Sequence, residues 1–196
     1  MRSPIVVPVG RPPTRQRTAF HEAGHAVFAY AFGWKFKQIT IVPASDGTFG
    51  SFEHRANRAF PKRYTGTSAQ QRKIEQYMMI ILAGAAGEHL MAVLAGDTGE
   101  DEEKTWDAEY RHNDLLGKDN DCLLRTAKLI TRGEIETNAY CEWLFRRTKA
   151  IIVRLVWQHA VRDLAELLLD KDTLQSDAAV ACIEPCKATL RGAITP

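Results

Sequence analysis

Apolar residues fall at Phe20, Ala23, Val27 and Ala31, a helical spacing that predicts a helix from Thr14 to Phe32, with Gly33 as its stop. The period then changes. "WKFKQITIVP" is β-branched and closed by Pro43, which predicts a strand, and "TFGSFEH" after the turn "ASDG" predicts a second, the two forming a small antiparallel ribbon. A basic loop, "RANRAFPKRYTGT", leads to Ser68 and Gln71, a predicted capping box opening a long helix that ends near Gly96. Residues 97–117 read as an acidic loop. A further helix is predicted from after Asn120 to about Arg132, stopped by Gly133, and residues 134–170 read as helical over most of their length. "SDAAVACIEPCKATLRG" predicts a last helix, bent or started at Pro185. The chain therefore reads as mainly α (α+β), helices with one small β-ribbon. Residues 1–13 form a flexible, basic, Pro-rich tail in this reading, and residues 14–196 a single domain.

Composition sharpens this picture in a few places. A chain of 196 residues with 45% apolar and 26% charged positions suits one well-buried globular core. Its net charge of +2 carries no nucleic-acid footprint. The charge is uneven, however, because residues 97–121 hold ten acids against three bases, marking an acidic insertion in the domain. The stretch "YMMIILAGAAGEHLMAVLA" is nearly long enough to span a bilayer, but Glu88 and His89 lie within it, so the expectation is a buried core helix and no membrane span. "IVVPV" is too short and too broken by proline for a secretory h-region. Without an export signal, Cys122, Cys141, Cys182 and Cys186 are expected as free thiols in a cytoplasmic protein.

The chemistry is concentrated in "AFHEAGHAVF". Shuffling this composition produces His-Glu-x-x-His in about one chain in 100, so the motif carries weight without being decisive. On a helix, His21 and His25 stack on one face about 6 Å apart along the axis, so both imidazoles can reach one zinc ion. Glu22, rotated by about 100°, sits beside the metal as a general base rather than a ligand. Zinc lowers the pKa of a bound water toward ~7 and polarises a carbonyl, given three protein ligands and one open position. Gly24 lets another segment approach the site closely. By residue type the third ligand is open among Glu88, His89, His112, Asp114, Asp119 and Asp121.

"HEAGHAV", "ITIVP" with "FGSF", "LAGAAGEHL", "GKDNDCLLRTAKLIT" and "LAELLLDKDTL" follow one another across about residues 18–183. In that order they resemble the blocks of the peptidase domain of FtsH-type ATP-dependent zinc metalloproteases. The resemblance implies a third ligand at the aspartate of a Gly-x-x-Asn-Asp stretch, which falls on Asp121, with Gly117 and Asn120 before it. It sets Glu88 on the glutamate of the family's Gly-rich helix block, where it would orient a histidine ligand. It also implies that an edge strand holds substrate by backbone pairing, here through Phe49, Gly50, Ser51 and Phe52.

Two departures limit what the resemblance implies. The chain has no Gly-x-x-x-x-Gly-Lys-[Ser/Thr] run and no anchor is expected in it, so ATP-driven unfolding would need a separate ATPase partner. The stretch between Glu88 and Asp121 is also longer than in the family. The expected activity is therefore zinc metalloendopeptidase cleavage of peptides, unfolded proteins or exposed segments, independent of ATP. Homo-oligomerisation stays open, since the family's hexamer can depend on the missing module. The alternatives are a non-catalytic zinc-containing peptide- or protein-binding module, which intact Glu22 argues against, and a zinc hydrolase of another amide or ester.

Overall fold

Thr14 is extended (φ −84°, ψ 154°), and its side chain accepts from the Arg17 amide at 3.1 Å, capping the first helix. The computed structural model describes residues 14–45, 49–54, 63–96 and 117–192. The expected tail (1–13), nearly all of the acidic insertion and the candidate ligands His112 and Asp114 lie outside them. Helix α1 (Arg15–Ala31) ends at Phe32, followed by Gly33 at φ +76°. Almost every residue of α1 from Arg17 onward is buried, because α1 is packed from several sides at once. Its alanine-rich composition allows this, since small side chains let neighbours close in all round.

Two strands follow, β1 (Phe36–Thr40) and β2 (Ser51–His54), paired antiparallel with a register irregularity between Phe36 and Gln38. The ribbon has a third member that the sequence pattern did not reveal. Strand β3 (Thr173–Gln175) pairs antiparallel with β1, giving the order β2-β1-β3. β1 is therefore central and β2 is an edge. β3 is three residues long, and only Leu174 in it is buried, too short a run to show alternation after a helix.

Helix α2 (Ser68–Leu94) starts one residue away from its predicted cap. Thr67, not Ser68, accepts from the Gln70 amide, and the Gln70 side chain accepts from the Thr65 amide. Thr67 thus serves as the N-cap one position earlier, and Gln70 reaches back past it to Thr65 rather than closing a capping box. α2 is long and apolar enough to cross a membrane, and 72% of its most apolar window is buried inside the fold. It packs on α1 more extensively than any other pair of elements.

Helix α3 (Gly117–Ala127) begins before Asn120 and ends well before Arg132, a correction at both ends. It ends as the bonding tightens, the Leu129 and Ile130 amides donating three residues back to Thr126 and Ala127 (3.1 and 2.9 Å), while the Thr131 hydroxyl bonds the Ala127 carbonyl and the Thr137 hydroxyl (2.7 Å). The long helical stretch is two helices, α4 (Glu134–Ile152) and α5 (Leu155–Lys171), broken at an extended Arg154 after the β-branched run Ile151-Ile152-Val153. Asp172, at φ 58°, turns the chain into β3, and its carbonyl accepts from the Ile41 amide at 2.9 Å. Helix α6 (Ser176–Ile183), a 3₁₀ turn (Glu184–Cys186) containing Pro185, and α7 (Lys187–Gly192) complete the chain, the bend falling where proline predicts it. Among the described residues the four cysteines form no disulfide. The core runs from Phe28 and Trp157, whose rings lie 4.5 Å apart, through Ile39 and Leu174 of the sheet to Leu82 and Leu123.

Candidate metal centre

Two close helix–helix contacts set the site. A Cβ on Gly24 would lie 2.0 Å from the Ala83 carbonyl oxygen, and one on Gly87 would lie 2.2 Å from that of Phe20. With glycine at both, the backbones of α1 and α2 meet, which is the close approach expected at Gly24. At the same contact, a Cβ on Gly84 would strike His21 Nε2 (2.5 Å) and His25 Nε2 (2.6 Å). The missing side chain at Gly84 leaves the room in which the imidazoles turn.

Both rings are fixed from behind. His21 Nδ1 lies 2.6 Å from Glu88 Oε1, and His25 Nδ1 lies 2.7 Å from the Ile80 carbonyl oxygen. An acceptor on each Nδ1 places the neutral ring's proton there and leaves Nε2 as a lone-pair donor. The two Nε2 atoms converge on one carboxylate oxygen, Asp119 Oδ2, at 3.2 Å each. These three ligand atoms lie within 4.8 Å of one another. Two imidazole nitrogens, one carboxylate oxygen and satisfied outer partners form a donor set that fits zinc.

The carboxylate beside the histidines belongs to Asp119, and this corrects the expectation for Asp121. Asp121 is exposed, and the contact it makes is through its backbone carbonyl, which accepts from Arg125. Two residues along a helix is a rotation of about 200°, so the two side chains cannot share a face. The N-terminal position of Asp119 in α3 was hidden because the helix starts at Gly117 rather than after Asn120.

Glu88 lies where an outer-shell role needs it. It is buried, accepts from His21, and pairs with Arg17 through its second oxygen. Burial works against its charge, but His21 and Arg17 outweigh it and hold the carboxyl below its usual range. Asp119 is likewise lowered, burial being overcome by His25 and His21. For His21, burial opposes protonation, yet Asp119 and Glu88 raise the imidazole well above its ordinary value. Asp119 and Glu88 thus favour positive charge on His21 from both sides of its ring.

Glu22 is buried, and among the described residues its Oε2 has no hydrogen-bond partner. Burial raises its pKa, with His21 and His25 pulling down and Asp119 and Glu88 pushing up. Oε1 sits against Gly50, where any Cβ would approach it to 2.6 Å. Among the strand residues expected to hold substrate, Gly50 therefore borders Glu22, and Phe52 stacks on His25 (5.6 Å between centroids, 27° between planes). Phe49 is 54% exposed and Ser51 is exposed at the start of the edge strand.

The chain matches no model of a known protein family, and no curated protein is recognisably similar to it in sequence. Three groups at the site stand outside the sequence motif: Arg17 behind Glu88, the Ile80 carbonyl behind His25, and Gly84 beneath both rings. The helical spacing of Arg17 and His21 on α1 was a legible signal for the first; the other two depend on how α2 is set against α1.

Proposed function

We propose that the chain is a zinc-dependent peptidase that cleaves unfolded or exposed peptide segments, as the resemblance to the FtsH-type peptidase domain implies. His21, His25 and Asp119 would hold the metal. The observation that carries this reading is the convergence of the two Nε2 atoms on Asp119 beside a buried carboxylate, Glu22, with an unpartnered oxygen. Zinc, when bound by these residues, supplies a Lewis acid that acidifies a water and polarises a carbonyl.

Glu22 does the proton work. Its burial raises its basicity, so it takes a proton from the attacking water as the new C–O bond forms and the carbonyl π pair moves onto oxygen. It then returns that proton to the amide nitrogen as the C–N bond breaks, which balances the reaction and leaves Glu22 ionised. Glu88 and the Ile80 carbonyl keep both imidazoles oriented through the cycle. Phe52 and Gly50 form the wall nearest β2, and the open edge of β2 suits pairing with an extended peptide. Such pairing reads backbone, so broad sequence tolerance follows. Delivery of folded substrates would require a separate ATPase.

The test is digestion of casein by the zinc-loaded protein and by Glu22→Gln, with bound zinc measured in both. Loss of cleavage by about 10²-fold or more in a variant that still holds zinc supports the reading. A fully zinc-loaded wild type without activity on casein rules out a general peptidase.

A further inference from the structure

The proposed chemistry needs the Glu22 carboxylate held in one place, since a misplacement of about 1 Å can cost about 10²-fold in rate. Among the described residues no hydrogen bond or ion pair reaches that carboxylate. Packing has to hold it instead, and Gly50 lies directly against it. Gly50 is buried just before β2. A Cβ there would lie 2.6 Å from Glu22 Oε1, 2.6 Å from Thr18 Cγ2 and 3.0 Å from the Thr40 carbonyl oxygen. Thr18 and Glu22 are one turn apart on the same face of α1, so the ribbon meets the helix at these two side chains.

Space, not conformation, demands the glycine. Its backbone lies outside the left-handed region, so an alanine could adopt the same angles. The three neighbours differ in how far they can yield to a methyl group. The Thr40 carbonyl is backbone of the central strand, paired on both sides. Thr18 is buried, and its hydroxyl donates to the Thr14 carbonyl at 3.2 Å, which fixes the rotamer and the methyl with it. Glu22 Oε1 ends a flexible side chain with no bond to keep it there. A methyl at position 50 would therefore be accommodated by moving the carboxylate.

We infer that Gly50 is a positioning residue for Glu22: its bare backbone, beside the Thr18 methyl, is the wall against which the carboxylate rests. For its catalytic consequence this inference rests on the peptidase reading above; the contact itself does not. Gly50 acts only through where it lets Glu22 lie, with one oxygen against the wall and Oε2 left without a partner for the attacking water. The glycine of Phe49-Gly50-Ser51-Phe52 thereby has a role separate from the backbone pairing expected of its neighbours.

The experiment compares wild type, Gly50→Ala, Thr18→Ser and the double variant. The Glu22 side-chain carboxyl resonance, assigned by its loss in Glu22→Gln, is followed by carbon-13 NMR in the metal-free and zinc-loaded proteins. Casein cleavage, zinc content and thermal unfolding are measured alongside. In Gly50→Ala the Glu22 resonance should shift while zinc stays bound. kcat should fall about 10²-fold with KM within about twofold, because Glu22 works on the attacking water and not in holding the peptide. Thr18→Ser opens room on the other side of the new methyl, so the double variant should recover about tenfold in kcat over Gly50→Ala. A merely structural Gly50 would raise KM through the displaced strand edge and lower the unfolding temperature, with the Glu22 resonance unmoved. That pattern overturns this inference alone, as does a kcat for Gly50→Ala within about threefold of an active wild type. If neither protein carrying Gly50→Ala folds, the methyl displaces backbone rather than Glu22, which overturns it too. Absence of cleavage by the zinc-loaded wild type overturns the peptidase reading, and the Glu22 resonance in Gly50→Ala then still decides whether Gly50 holds the carboxylate.

Discussion

Asp119 and Asp121 differ by two positions and by half a turn of helix, and that half turn separates a candidate ligand from a surface acid. Asp119→Asn should weaken zinc binding by more than the 10–100-fold typical of an outer-shell partner, measured by competition with a chromophoric chelator, while Asp121→Asn should change it by less than about twofold. The opposite ranking would return the ligand role to Asp121. Glu88 separates two functions within one side chain. In Glu88→Gln the amide oxygen still accepts from His21 Nδ1, but Arg17 loses the carboxylate it pairs with in the interior. Zinc affinity should therefore fall only about tenfold, while the metal-free protein should lose about 3 kcal/mol in urea denaturation. A variant as stable as wild type would show that Arg17 finds another buried partner. At this scale the sequence was most informative where spacing alone suffices. His21, Glu22 and His25 need only one helical turn to be read together. Asp119 depended on knowing the first residue of a helix whose preceding segment is an acidic insertion with no periodic signal.

Among the elements, the pairing of α1 with α2 determines whether there is a site at all, and three glycines make different contributions to it. A Cβ at Gly24 or Gly87 would meet backbone carbonyl oxygens at 2.0 and 2.2 Å, and backbone can yield only if the helices part. At Gly84 the obstruction is the two imidazole tips. Gly24→Ala and Gly87→Ala should each destabilise the metal-free protein by about 3 kcal/mol or more, the upper range for overpacking. Gly84→Ala should cost less stability and abolish measurable zinc binding. Equal stability losses at all three would mean that the rings cannot swing aside. Helix boundaries at Thr14, Gly33 and Gly96 were legible because caps and left-handed glycines are local chemistry. β3 was not, since a three-residue strand placed directly between two helices is specified by its partner β1 rather than by its own pattern. The misplaced cap of α2 is a milder case, Thr67 and Ser68 being equivalent by type and separable only by the geometry of Gln70.

Across the whole molecule the three candidate ligands come from two segments of unequal anchorage. α1, which carries both histidines, is packed between α2 and α5 and touches the sheet as well. α3, which carries Asp119, leans on α2 and α4 through a short apolar face, with Leu123 and Ala127 fully buried, and its first turn follows the acidic insertion directly. Metal binding would therefore join a rigid layer to a weakly held one. Elements with few buried contacts open with a free energy well below that of global unfolding, and a ligand bridging them adds its binding free energy to that opening reaction. Removing zinc with a chelator should thus raise amide hydrogen exchange in Asp119–Leu123 by about 10²-fold or more at a zinc concentration 100 times Kd, while the central amides of α1 and α2 keep their protection. Uniform loss of protection across all three helices would mean that α3 is not a separate unit and that metal binding and global folding are one equilibrium. Selective loss in α3 would make its first turn the moving part of the site, closing on the two histidines when the metal arrives, with the fold of α1 and α2 complete beforehand.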